Sequence, residues 1–294
     1  MDIFGVPTQA LFGQLLIGLI NGSFYALLSL GLAVIFGLLN IINFTHGAQY
    51  MMGAFVAYLL LNKLGIGYWW SLLLVPLLVG ATGMLIERTM LSRLYKLDHL
   101  YGLLLTFGLA LIIQGLFRNE YGSSGQPYRI PPELAGGQNL GFMFLPNYRA
   151  WVIVASFFIC LATWFVIERT KLGAYLRAAT ENPQLVQAFG VNVPRMITLT
   201  YGFGVGLAAL AGVMAAPIYQ VSPQMGADLI IVVFAVVVIG GMGSILGAIL
   251  TGFGLGVLEG LTKVFYPEAS NTVIFVVMAI VLLLKPAGLF GTQK

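Results

Sequence analysis

The chain has 294 residues, of which 59% are hydrophobic and only 8% charged. Soluble domains carry roughly 25% charged residues, and 14 Lys and Arg with 10 Asp and Glu cannot cover a soluble fold of this size. With a mean hydropathy of +0.95, this is an integral membrane protein, and soluble enzymes, nucleic-acid binders and disordered scaffolds are excluded. The net charge of +4 lies in loops, where it reports topology rather than nucleic acid.

Met1-Asp2-Ile3-Phe4 has no basic n-region and no small-residue cleavage site follows, so no cleaved signal peptide is expected. From Ile3 to Asn62 there is no Asp, Glu, Lys or Arg for 60 residues, room for two full spans and a short one. Further charge-free runs cover 64–86, 99–117, 150–167, 196–227, 229–258 and 269–284. Runs this long suit helices rather than barrel strands of about ten residues. The first run and the run 229–258 are too long for single helices, and glycines interrupt both. Leu32–Ile42 and Leu229–Ile239 therefore read as short or discontinuous helices, each followed by a full one. The expected fold is an all-α polytopic membrane protein of about eight transmembrane helices.

Lys and Arg set the orientation. Segment 87–98 holds Arg88, Arg93 and Lys96, and segment 168–197 holds Arg169, Lys171, Arg177 and Arg195. Two spans separate them, so they share a side, and their basic density makes it the cytoplasm. The tail with Lys285 and Lys294 joins them. Segment 118–149 then faces outward, with Pro127, Pro131, Pro132, Pro146 and five glycines as in loops, although it also carries Arg118, Arg129 and Arg149. The long first run leaves the side of the N-terminus open. Cys160 lies in an apolar run and reads as a packing residue.

Within 168–195, Pro183 suits the first position of a helix and Asn182 its N-cap. Gln184 to Phe189 make a short helix, and Gly190 supplies the residue just past its end. The local reading is helix, sharp turn, short helix at the cytoplasmic face. Such a knob can dock in a groove of a soluble partner or serve as an ordinary amphipathic connector.

Gly173, Arg177-Ala178, Asn182-Pro183, Ala188 and Gly190-Val191 in this segment resemble the coupling loop of permeases from the branched-chain amino acid ABC importers, the LivH type. The resemblance runs nearly end to end. It includes Asn40-Ile41-Ile42-Asn43-Phe44-Thr45-His46-Gly47 with Met52-Gly53, then Val238-Ile239-Gly240-Gly241-Met242-Gly243-Ser244, and finally Lys285-Pro286-Ala287-Gly288-Leu289-Phe290-Gly291. Where many members carry an acidic residue after the His-Gly pair, this chain has Ala48, so no carboxylate role in substrate choice carries over. The resemblance implies one permease domain over 1–294 in a bacterial inner membrane. It also implies two cytoplasmic ATPase subunits, a second homologous permease of the LivM type and an external solute-binding protein docking on loops including 118–149. The helix after Asn182 would sit in a cleft of the ATPase, and Arg177 would brace the loop or pair with that subunit. No G-x-x-x-x-G-K-[ST] loop occurs, so ATP would be used by partner subunits, with no cofactor bound here.

Asn40, Asn43 and His46 fall near the expected break in the first run, where polar groups either cap freed backbone or mark a path through the membrane. With Gly240, Gly241 and Gly243 they form the candidate translocation path. His99 is more than 50 residues from His46, so no metal cluster is expected, and no catalytic residues are identified. Asp228 suits a helix N-terminus, and Glu259 with Lys263 an i,i+4 pair. Gly-Phe-Gly-x-Gly recurs at Gly202 and Gly252, where small residues four apart allow close helix approach and hint at an internal repeat.

The implied substrates are branched-chain or other hydrophobic amino acids, with urea, amides or aromatic acids as alternatives within the family. A stand-alone carrier or channel would need coupling carboxylates near mid-membrane, which are scarce. An intramembrane enzyme would need a catalytic dyad or His cluster, and none is found in the spans.

Overall fold

The computed structural model describes residues 2–3, 6–39, 43–141 and 143–291. The helices, in chain order, are α1 Thr8–Leu39, α2 Thr45–Leu64, α3 Tyr68–Thr89, α4 His99–Tyr121, α5 Asn147–Arg169, α6 Lys171–Glu181, α7 Pro183–Ala188, α8 Val193–Ala215, α9 Met225–Gly240, α10 Ile245–Phe265 and α11 Val273–Leu284. Among the described residues, α1, α3, α4, α5, α8 and α10 are long and apolar enough to cross a membrane. The shorter apolar helices α9 and α11 accompany these six. This is an all-α polytopic membrane fold.

Leu229–Ile239 falls inside the short helix α9, followed by the full helix α10, as expected. The first run differs. Residues 32–39 continue α1 without interruption, so the separate short helix over Leu32–Ile42 is not formed; residues 40–42 lie outside the described residues. The glycines taken as breaks are contact points instead. A Cβ on Gly31 would press on the Gly204 carbonyl oxygen, and one on Gly37 would press on Gly243. Removing side chains lets helices approach closely where lipid gives no hydrophobic drive for association.

Close approach of this kind organises the bundle. Helix α1 runs antiparallel to α10, with Gln14 and Gly18 facing Gly260, Gly18 and Gly22 facing Gly256, and Ala26 facing Gly252. Helix α8 packs on three neighbours. Gly204 meets α1, Gly202 and Gly206 meet α3 at Gly80 and Pro76, and Ala209 and Gly212 meet α2 at Gly53 and Tyr50. The two Gly-Phe-Gly-x-Gly copies therefore both serve close approach, but with different geometry, and Gly254 of the second faces open space.

The two ends of the bundle are distinct. At one end, the Tyr148 hydroxyl donates to the Met214 carbonyl at 2.8 Å and lies 3.0 Å from the Tyr68 hydroxyl, and Trp151 donates to Tyr68 at 3.2 Å. These bonds tie together the starts of α3 and α5 and the end of α8. Segment 122–146 covers this end with a two-stranded hairpin, Gly137–Asn139 with Phe144–Pro146, and a bridge from Gln126 to Val221. The helices α4 and α5 take the edges of the expected 118–149 loop, so its irregular part is shorter than expected.

At the other end lie segment 90–98 and the hairpin α6–α7. Glu87, 2% exposed, accepts from the Tyr95 and Thr198 hydroxyls at 2.5 Å each, which places the two basic segments on one side. Burial and the adjacent Glu87 carboxylate push the Tyr95 hydroxyl well above its ordinary pKa, keeping it a donor. Gly37 near the end of α1 lines a cavity with Glu168 and Arg177, so α1 ends on this side and begins on the opposite one. That relation was open from the sequence.

Candidate functional site

The hairpin forms from local chemistry. Asn182 Oδ1 accepts from the Leu185 N–H at 2.9 Å and caps α7, whose first residue is Pro183. Gly190 has φ +84°, a left-handed conformation that a Cβ disfavours, and its N–H closes the helix end on the Gln187 carbonyl at 2.9 Å. Val186, Ala179 and Val193 form a small buried core beneath the turn, so the two helices hold a fixed relation. Asn192 caps α8 in the same way, accepting from the Arg195 N–H at 3.1 Å.

Gly173 and Arg177 attach this hairpin to the bundle. A Cβ on Gly173 would overlap the Ile167 carbonyl oxygen, so only glycine allows α6 to fold back on the end of α5. The Arg177 guanidinium donates to that same carbonyl at 2.9 Å and to Glu168 Oε2 at 3.2 Å. A cation on the last carbonyls of α5 complements the negative end of the helix. Ala178 and Ala188 are exposed.

The residues proposed for the path separate into two groups. Gly243 joins Gly37, Gly173 and Arg177 around a cavity of about 80 Å³. Gly240 ends α9, Gly241 has φ +103° and Gly243 φ +84°. The 285–291 segment folds back on this link, Leu289 N–H to the Ile239 carbonyl at 2.8 Å and Phe290 N–H to the Gly240 carbonyl at 3.1 Å. Part of the path set and part of the hairpin set thus share one location.

Asn43 and His46 lie deeper. His46 Nε2 is 3.0 Å from the Leu28 carbonyl and its ring abuts Gly31, about 9 Å along α1 from Gly37 at 1.5 Å per residue. Asn43, Thr45, His46 and Gln49 are fully buried. Asn43 Oδ1 accepts from the Thr45 N–H at 3.1 Å and from the Thr45 hydroxyl, and Asn43 Nδ2 lies 3.5 Å from Gln49 Oε1. So α2 starts inside the bundle, where Asn43, just before the helix, accepts from the N–H of its first residue. Asn40 lies outside the described residues. Beside this start, Phe44, Gly47, Ala48, Gln114 and Gly226 help line an apolar cavity of about 280 Å³.

Asp228 sits in the first turn of α9, as a helix-favouring anion would. Glu259 pairs with Lys263 at 2.5 Å, as expected, but also accepts from Tyr25 at 2.7 Å and Asn21 at 3.3 Å. Among the described residues no group of three or more His, Cys, Asp or Glu could hold a metal ion.

Sequence reasoning did not single out Leu185 and Phe189. They project from α7 with 54% and 80% of their surface exposed. Two large apolar side chains in a short connector that also carries Asn182, Gln184, Gln187 and Asn192 were the available signal.

Glycine-packed apolar helices with a capped hairpin at one end define a multi-pass membrane protein. Residues 14–282 match the family described as the permease component of branched-chain amino acid transport systems, and the chain belongs to that family. It is therefore a transport component and not an enzyme. It is similar to the high-affinity branched-chain amino acid transport permease LivH of Salmonella typhimurium, 30% identical over 296 residues and covering 96% of each chain. BraD of Pseudomonas aeruginosa, with the same description, is 30% identical over 297 residues and 96% of each chain. The permease LivM of Escherichia coli is 28% identical over 296 residues, 92% of this chain and 68% of LivM. No solved structure matches.

Proposed function

We propose that this chain is the membrane-spanning permease subunit of an ABC importer in a bacterial inner membrane, carrying branched-chain or other hydrophobic amino acids. Residues 1–294 act as a single permease domain, with the hairpin end in the cytoplasm. Two ATPase subunits hydrolyse ATP there, so the chain itself binds no cofactor. A second permease of the LivM type lines the path with it, and a solute-binding protein delivers substrate to the 122–146 face.

The observation that carries this reading is the hairpin. Helix α7 is capped at both ends, supported by its own small core and tipped with exposed Leu185 and Phe189. A rigid knob with apolar anchors suits a cleft in a soluble partner. Gly173, Arg177, Ala178, Asn182, Pro183, Ala188 and Gly190 build it, and its base shares a cavity with Gly243. Closure of the ATPases would thus pull directly on the ends of α1 and α9. Asn43, His46, Gly240, Gly241 and Gly243 are proposed as parts that move or line the path.

Uptake of labelled leucine by cells expressing the full system tests this. Phe189→Asp and Arg177→Glu should each lower uptake at least about ten-fold, the effect of roughly 1.4 kcal/mol at the docking step, with membrane levels unchanged. Unchanged uptake in both variants would overturn the coupling role of the hairpin.

A further inference from the structure

Arg195, Leu199 and Phe203 on α8 are spaced four apart and so share one face of the helix. Leu199 and Phe203 are exposed, forming a ridge with an apolar groove on either side. The groove towards α5 and α6, about 440 Å³, is lined by Val166, Leu172 and Tyr175 along with the ridge. The groove towards α3, about 360 Å³, is lined by Leu73, Pro76 and Leu77 with the same ridge. Both run into a wider, more polar cavity of about 1120 Å³ at the hairpin end of the bundle, which shares Arg195 with the first groove and Met84 with the second.

That wider cavity holds two cations, Arg88 and Arg195. Among the described residues the ion pairs are Arg177 with Glu168 and Lys263 with Glu259, so neither guanidinium is in one. The carboxylate in the cavity, Glu87, is buried and occupied by Tyr95 and Thr198, which leaves the exposed lining cationic.

We propose that this surface holds one diacyl phospholipid with an anionic headgroup, drawn from the leaflet on the hairpin side. The phosphate lies between Arg88 and Arg195, and the two acyl chains straddle the Leu199–Phe203 ridge, one in each groove. Charge complementarity selects this occupant: basic pockets between membrane helices attract anionic headgroups, and guanidinium groups bind phosphate oxygens bidentately. The lipid would brace the start of α8 beside the hairpin.

The test uses the full chain with its co-purifying subunits, extracted in mild detergent and examined by native mass spectrometry and lipid analysis. The expected result is retained phosphatidylglycerol-type lipid, with retention falling about five-fold for Arg88→Ala and for Arg195→Ala, as one surface cation implies. The Arg88→Lys/Arg195→Lys double variant should keep most of it, which separates charge from folding. Phosphatidylglycerol added to delipidated protein should raise its melting temperature, and phosphatidylcholine should not. Equal retention in the double alanine variant, or equal retention of neutral lipid, would overturn the proposal. So would cross-linking of Leu199→Cys to a co-purifying polypeptide, which would place a protein on the ridge.

Discussion

Helices α1 and α4 have almost the same mean hydropathy over their most apolar windows, 1.9 and 2.0. Yet 83% of that window is buried inside the protein in α1 and only 11% in α4. Hydropathy therefore locates a span without saying where in the bundle it lies. Small residues make the difference. Gly18, Gly22, Gly31 and Gly37 of α1 each face the backbone of another segment, whereas Gly108 and Gly115 of α4 face open space. In lipid, where leucine gains little by leaving the acyl chains, close backbone packing decides which helix is central.

The strongest way to break this comparison is at α1 and α10. A Cβ on Gly256 would overlap the Gly18 carbonyl oxygen and the Gly22 backbone, which cannot swing aside. Gly256→Val should cost about 3 kcal/mol and lower the detergent melting temperature sharply; an unchanged melting curve would refute close packing as the organising feature. A smaller effect is expected for Gly202→Ala, whose Cβ would meet the flexible Met84 side chain. Its cost should be about 1 kcal/mol, and Met84→Ala should restore most of it in a double-mutant cycle. At the far end of the scale, Gly108→Ala and Gly115→Ala meet nothing. Helix propensity should make each neutral to about 1 kcal/mol stabilising, and destabilisation of either would mean that α4 packs against a partner subunit at that point.

The hairpin was legible because its determinants are local. Asn182, Pro183 and Gly190 specify cap, first turn and stop within nine residues. The spans were legible from charge-free runs, and α9 from its bounded length. The course of α1 was not. Gly31 and Gly37 look like breaks when read alone, and only Gly204 and Gly243, some 170 to 200 residues onward, reveal them as contacts. The same non-locality hid the depth of His46, which Leu28 on α1 fixes, and the extra partners of Glu259, which come from Asn21 and Tyr25. The proximity of Arg177 to Gly243 depends on α1, α5, α6 and the α9–α10 link meeting at one end, and no spacing rule contains that.

Thr45, His46 and Gln49 at the start of α2 bear on how the protein is made. Helix α2 is not among the helices apolar enough to cross by length and composition, and polar residues such as these disfavour insertion of a lone segment. Their first support, the Leu28 carbonyl, has already been synthesised when α2 emerges from the ribosome. The helix that covers its other side, α8 through Ala209 and Gly212, follows about 150 residues later, roughly 8–30 seconds at about 5–20 residues per second. During that interval α3 and α4 emerge next, and Phe55 of α2 packs on Phe117 and Tyr121 of α4, so α2 gains apolar neighbours on one side well before α8 closes the other.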